Sequence, residues 1–394
     1  VDVLVERLNS LKTYQVYVEL PTDKGVFLKR HVASSSLFVY SFPLLDQESE
    51  RKIHLQTIKF PDQLCPTNEE FQYTTISNQY IQCKLLYEPK EEVSLYESDR
   101  KLPLVESFKN VVCKSCSHPI LDLEPLPPLT RPLKKVLALP SEYWLEISEL
   151  WVCHNPDNFK HFPREPITAK EGHCLVSSTY IMMPGNMIFQ NSLIPSYKVF
   201  NDNSMTDLVS KKEYIPIVCS GCKNFIGLSN EDYLMRNNKK DQLITYKLYK
   251  YALKDLESNL FQYNSIENKL ADDIYALVKT RGCYRVYVFG FSSTFYLQLQ
   301  VLSWNTHIID TNTFQSKPII KILFKTIHAD MKPEEQLEFM RKHGNKIEEL
   351  VIVDEECKKL ETLLKTNCRV FPEKIRNAFP NDMTLSFLHF YDEP

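Results

Sequence analysis

Two short runs of the chain have the make-up of metal ligands. Cys113-Lys114-Ser115-Cys116 and Cys219-Ser220-Gly221-Cys222 are each a Cys-x-x-Cys with an apolar lead-in, Val111-Val112 or Ile217-Val218. Each also has a β-branched residue four positions past its second cysteine, Ile120 or Ile226. A tight turn of this kind aims two thiolates at one ion, and four thiolates complete a closed tetrahedral structural site. Soft ligands favour Zn2+. The pairs stand about a hundred residues apart, farther than in zinc ribbons, so joining them closes a long loop. The closure entropy grows only as about (3/2)RT ln n, and zinc binding worth roughly 10 kcal/mol or more exceeds it. Buried free thiols are the competing expectation. A thioredoxin-like redox pair is a lesser one, because neither run sits between a strand and a helix of a βαβ unit.

Between the two pairs lies the second stretch with chemistry in it. Ser141 after Pro140 is suited to cap a helix, with Glu142 in its first turn. Trp144, Ile147 and Trp151 then fall at i, i+3 and i+7, while Glu142, Glu146 and Glu149 take the other side. The spacing predicts a short amphipathic helix that runs out at Cys153-His154, where Asn155-Pro156-Asp157 turns the chain. The tryptophans either dock this helix on its own core or present it to a partner. Cys153, His154, His161, His173 and Cys174 offer an alternative, a second intrinsic metal site, although their spacing fits no standard finger. There is no Gly-rich phosphate loop, nucleophile elbow or His-Glu-x-x-His, and 8 glycines leave little for a backbone-cradled cofactor.

The elements that must position these residues follow from composition and periodicity. With 394 residues, 43% hydrophobic, the chain can bury a large core, and its length suggests two or three domains. A net charge of −3 gives no global basic field, so direct nucleic-acid binding is not expected. The aromatic and basic residues of 246–254 are the one feature that points to RNA, and strand packing explains them more simply. No apolar run approaches the roughly 20 residues that span a bilayer, and residues 1–7 lack a signal peptide's layout. Eleven cysteines without a secretory signal favour thiols and metal ligands over disulfides, hence an intracellular chain.

The expected class is α+β and β-rich, in three parts. Residues 1–101 read as an antiparallel β domain, a sandwich or partial barrel, with a hairpin of 14–20 and 26–29 and strands at 36–40, 53–58 and 80–87. Residues 102–230 read as an irregular, proline-dense segment with little room for a helix or central strand, held by the zinc clasp. Residues 231–394 read as an α+β domain. Its strands are expected at 243–249, 284–289, 295–302, 318–325 and 387–391. Helices are expected at 266–280, 333–343 and 355–366, the first with Ile266, Leu270, Ile274, Leu277 and Val278 on one face.

The order Cys-x-x-Cys, Leu-Pro-Ser-Glu-x-Trp, Trp-x-Cys-His-x-Pro-Asp, and Cys-x-x-Cys followed by Gly227 resembles a family of HECT-like ubiquitin ligases described as binding ubiquitin-conjugating enzymes. The divergence elsewhere is similar to that of a fungal member. The resemblance implies two partners. One is a ubiquitin-conjugating enzyme. The other is the metallo-β-lactamase-type endonuclease of pre-mRNA 3′-end cleavage and polyadenylation, which implies a nuclear and cytoplasmic location. In the related regulator motif a cysteine reaches the nuclease's metals; carried over, it is Cys153, beside His154, with Trp144 and Trp151 as anchors. A thiolate there would displace the water that a two-metal hydrolase needs and hold the nuclease silent. Ubiquitin transfer instead needs an exposed, activated thiol. Cys357, inside a predicted helix, and Cys368, just after it, are the C-terminal candidates, and Cys357 stands on the side expected to pack.

Overall fold

One long hairpin, Thr294–Ile309 paired antiparallel with Ser316–Asp330, organises the chain in the computed structural model. The structure describes residues 3–19, 24–31, 34–43, 53–65, 73–76, 80–88, 102–123, 133–139, 167–196, 214–231, 235, 244–292, 294–309, 315–330, 334, 335, 338, 341 and 347–390. The free edge of Thr294–Ile309 is shared between two neighbours. Its first half pairs with Arg285–Gly290, which pairs in parallel with Glu348–Ile352. Its second half pairs with Val3–Leu8, followed outward by Thr13–Glu19 and Tyr80–Glu88. Thr384–His389 closes the other side of the hairpin on Ser316–Asp330. A ten-stranded sheet results, and it joins strands from 1–101 to strands from 231–394.

The predicted hairpin of 14–20 with 26–29 is not formed. Thr13–Glu19 instead lies between Val3–Leu8 and Tyr80–Glu88, and Lys24–His31 begins a separate three-stranded sheet with Ser36–Pro43 and Ile53–Lys59. The reason is burial. Val16 and Val18 in the large sheet and Leu28, Leu37 and Ile58 in the small one pack into a single core with Val5 and Ile81, so the two sheets face each other.

Helix α1, Ile266–Arg281, has the predicted stripe: Leu270, Ile274, Leu277 and Val278 are buried. Ser265 caps it by accepting from the Asn268 amide, and Gly282 ends it in the left-handed region. Helix α2, Asp354–Asn367, begins on three carboxylates and ends near Lys365, which suits the helix dipole. Both lie on the ten-stranded sheet, where Leu360 and Leu364 meet Val286, Val288 and Leu299. The predicted helix 333–343 falls mostly outside the described residues.

The middle segment is more regular than expected. Its described part holds the strand Val111–Cys113 and six more, Lys135–Ala138, His173–Val176, Tyr180–Pro184, Leu193–Pro195, Ile215–Cys219 and Phe225–Ser229, which with Thr245–Tyr249 form a seven-stranded sheet. The prolines occupy tolerable places in it. Pro184 and Pro195 end their strands, and Pro216 lies near the start of Ile215–Cys219.

Candidate metal centre

The two Cys-x-x-Cys runs meet. The four sulfur atoms of Cys113, Cys116, Cys219 and Cys222 all lie within 4.8 Å of one another and could hold a metal ion. Cys113 and Cys222 approach to 3.7 Å, and Cys116 and Cys219 to 3.6 Å. The four are free thiols.

The two turns share one backbone plan. In the first, the Ser117 amide donates to the Cys113 carbonyl and the Cys113 amide to the His118 carbonyl. In the second, the Lys223 amide donates to the Cys219 carbonyl and the Cys219 amide to the Asn224 carbonyl. Ser117 and Lys223, each four residues past the first cysteine, both have positive φ, 60° and 63°. This αL residue folds each chain back so that two sulfur atoms point inward.

Strands fix where each turn begins. Val111–Cys113 pairs with Leu253–Asp255, whose Asp255 carboxylate accepts from the Lys109 and Asn110 amides just before the turn. Ile215–Cys219 leads into the second turn and Phe225–Ser229 leaves it. Gly227 permits the close approach of the next strand, since a Cβ there would lie 1.9 Å from the Lys247 carbonyl oxygen. A hydrogen bond between His118 Nε2 and Ser220 Oγ, 3.0 Å, ties the turns together.

Burial pushes the Cys113 thiol up to about 12, and burial also raises Cys219. Cys116 differs. Burial pushes it upward too, but the His118 amide and hydrogen bonds from Cys222 and Cys219 outweigh this and bring it down to about 7. A cation among the four sulfur atoms would stabilise the thiolate form of each.

The family model for HECT-like ubiquitin-conjugating enzyme (E2)-binding proteins matches residues 6–379. The chain belongs to this family. No curated protein matched it, and no solved structure did.

In this member of the family the other sequence-predicted residues that the structure describes do not join the four sulfur atoms. Cys357 is fully buried among Leu360 and the strands under α2, and its thiol is pushed well up by burial and then by the Asp354 charge. Cys368 is also buried, its sulfur directed at the Lys365 carbonyl oxygen at 3.2 Å. Cys357 presents no sulfur at the surface, whereas Cys368 lines a cleft with Lys365, Arg369 and Arg376. Cys174 is buried beneath the seven-stranded sheet, with burial raising its thiol to about 12, while the adjacent His173 bonds the Glu171 carbonyl. Strand alternation turns these two side chains to opposite faces. Trp144, Trp151, Cys153, His154 and His161 lie outside the described residues.

A cleft of about 900 Å3 opens beside the cluster, between Lys114, Cys222 and Lys223 on one wall and Asp354, Glu355 and Lys358 on the other. Tyr251 and Glu356, which line it, belong to an ionic network. Lys269 Nζ reaches Glu356 at 2.7 Å and Asp273 at 3.0 Å, and Tyr251 donates to Glu356 at 2.9 Å. Burial pushes Lys269 down, but the Asp273 and Glu356 carboxylates outweigh it and keep it protonated. Lys269 and Glu356 are both almost wholly buried, so the pair survives because each charge has its partner. The sequence carried no signal for this network or for Asp255, because the partners are far apart along the chain.

Proposed function

We propose that the chain binds a ubiquitin-conjugating enzyme, and that a Zn2+ ion held by Cys113, Cys116, Cys219 and Cys222 fixes the segment that does so. The match of an E2-binding family across residues 6–379 carries the first half of this reading. Purified, metal-loaded chain tested by biolayer interferometry against a panel of ubiquitin-conjugating enzymes is expected to bind at least one of them. Absence of binding across the panel rejects the proposal.

The fit to zinc rests on the donor set and its size. A Zn–S bond of about 2.3 Å gives a tetrahedron with edges of about 3.8 Å, close to the observed 3.7 and 3.6 Å. The bound ion would tie the strand Val111–Cys113 to the strand Ile215–Cys219. Elemental analysis should give about one zinc per chain, and Cys116→Ser or Cys219→Ser should abolish binding of the ion and lower the melting temperature. A folded, metal-free wild-type chain would defeat this part.

The full burial of Cys357 supports binding rather than thioester formation at that thiol. Ubiquitin transfer through Cys357 or Cys368 is the alternative, and a reducible ubiquitin adduct in a single-turnover assay with charged E2 would establish it. A second partner is supported by the sequence of 139–157. There Trp144, Trp151, Cys153 and His154 would engage a metallo-β-lactamase-type endonuclease of pre-mRNA 3′-end processing, in nucleus and cytoplasm. Cys153→Ala should then weaken association with that nuclease and leave zinc content unchanged; equal association of the variant and wild type excludes the role.

A further inference from the structure

The cluster pairs its sulfur atoms in a way the sequence does not suggest. In each turn the first cysteine, Cys113 or Cys219, is buried, while the second is more accessible, Cys116 exposed and Cys222 half-buried. Two sulfur–sulfur contacts run between the turns. Exposed Cys116 stands 3.6 Å from buried Cys219, and half-buried Cys222 stands 3.7 Å from buried Cys113. Each accessible sulfur therefore has a buried partner within 3.7 Å in the opposite turn. Gly221 leaves Cys116 without side-chain cover on that side, since even a Cβ there would come within 3.3 Å of the sulfur.

We propose that hydroperoxide oxidises this cluster to the crossed disulfides Cys116–Cys219 and Cys113–Cys222 and so exchanges a metal clasp for a covalent one. This rests on the metal reading above. The Cys116 thiolate attacks a peroxide oxygen, breaking the O–O bond to give a sulfenic acid and hydroxide. The Cys219 thiolate then attacks the sulfenic sulfur, forming the S–S bond and expelling a second hydroxide. Cys222 and Cys113 consume a second peroxide in the same way. Four thiolates and two peroxides yield two disulfides and four hydroxides, the ion loses its ligands, and the turns stay joined. A Cys-x-x-Cys oxidised within itself would instead release one turn from the other.

The full chain with its metal content measured beforehand is treated with hydrogen peroxide, and the freed ion is read with a chromogenic chelator. It is then digested with trypsin without reduction and analysed by mass spectrometry. Trypsin cuts after Lys114 and so separates Cys113 from Cys116. The crossed pattern gives a three-peptide assembly in which both fragments are bound to the Cys219–Cys222 peptide, with backbone fragmentation between Ser220 and Gly221 placing the Cys116 fragment on Cys219 and the Cys113 fragment on Cys222, and with release of all bound metal; the opposite placement overturns the proposal. Disulfides Cys113–Cys116 and Cys219–Cys222 leave that peptide unattached and overturn the proposal, as does sulfinic acid at Cys116 without cross-linking. A chain that carries no metal before peroxide defeats the metal reading alone, and the cross-linking pattern still decides the rest.

Discussion

His307 is an imidazole kept dry and neutral. It is 5% exposed in the strand Thr294–Ile309, with Nδ1 3.3 Å from Asn9 Nδ2. Burial, and then the nearby Arg7 charge, push its pKa down to about 4, whereas an unfolded histidine titrates near about 6.5. Between these values the unfolded chain binds the proton that the folded chain refuses. The stabilisation is present above about pH 6.5 and is lost as pH falls towards 4. From pH 7.5 to 5 it should amount to about 2 kcal/mol. Urea denaturation of wild type and His307→Gln at the two pH values tests this: the variant should lose about 2 kcal/mol less on acidification, and equal losses would refute it. Nothing near His307 in the sequence announces this state, because Arg7 and Asn9 lie at the other end of the chain. The four clustered cysteines were legible for the opposite reason, since Cys-x-x-Cys spacing is itself the local geometry of the turn.

At the scale of elements, what could be read was whatever depends on near neighbours in sequence. Helix α1 carries its cap at Ser265, its stripe from Leu270 to Val278 and its stop at Gly282 within one continuous run. The supposed hairpin of 14–20 and 26–29 was misread because the turn residues Pro21 to Gly25 report a change of direction, whereas strand partners are chosen by burial. Glu348–Ile352 passed unnoticed because its charged start and brief apolar run carry no alternation, although it pairs in parallel with Arg285–Gly290. Gly227 was noted only as part of a motif; its packing explains it. Gly227→Ala would drive a methyl group into the Lys247 carbonyl and force Phe225–Ser229 away from Thr245–Tyr249. The cost should reach at least about 2 kcal/mol. Because that strand leaves the second turn directly, the variant should also surrender its metal to EDTA faster than wild type. Unaltered stability and exchange would show that the strands can part without cost.

The whole molecule is joined across its length by the ten-stranded sheet. Val5, Glu6, Arg7 and Leu8 pair with Ile309, Ile308, His307 and Thr306, and buried Glu6 meets Lys321 at 2.6 Å. Leu4 and Tyr17 complete a core otherwise made of Ile319, Leu323, Phe371, Met383, Leu385 and Phe387. A fragment of 231–394 made alone would keep α1, α2 and the long hairpin, yet it would expose the Thr306–Ile309 edge and strip that core of one wall. An uncovered strand edge beside apolar surface is a template for aggregation. The fragment should therefore be insoluble or lack dispersed amide resonances by NMR, and co-expression with a fragment of 1–101 should improve its recovery. A monomeric 231–394 with dispersed resonances would show that the shared sheet is dispensable. The Lys269–Glu356–Tyr251 network extends the same logic to the metal centre, because Tyr251 lies just before the strand Leu253–Asp255 that seats Cys113. The clasp is thereby coupled to α1 and α2, and through them to both ends of the chain.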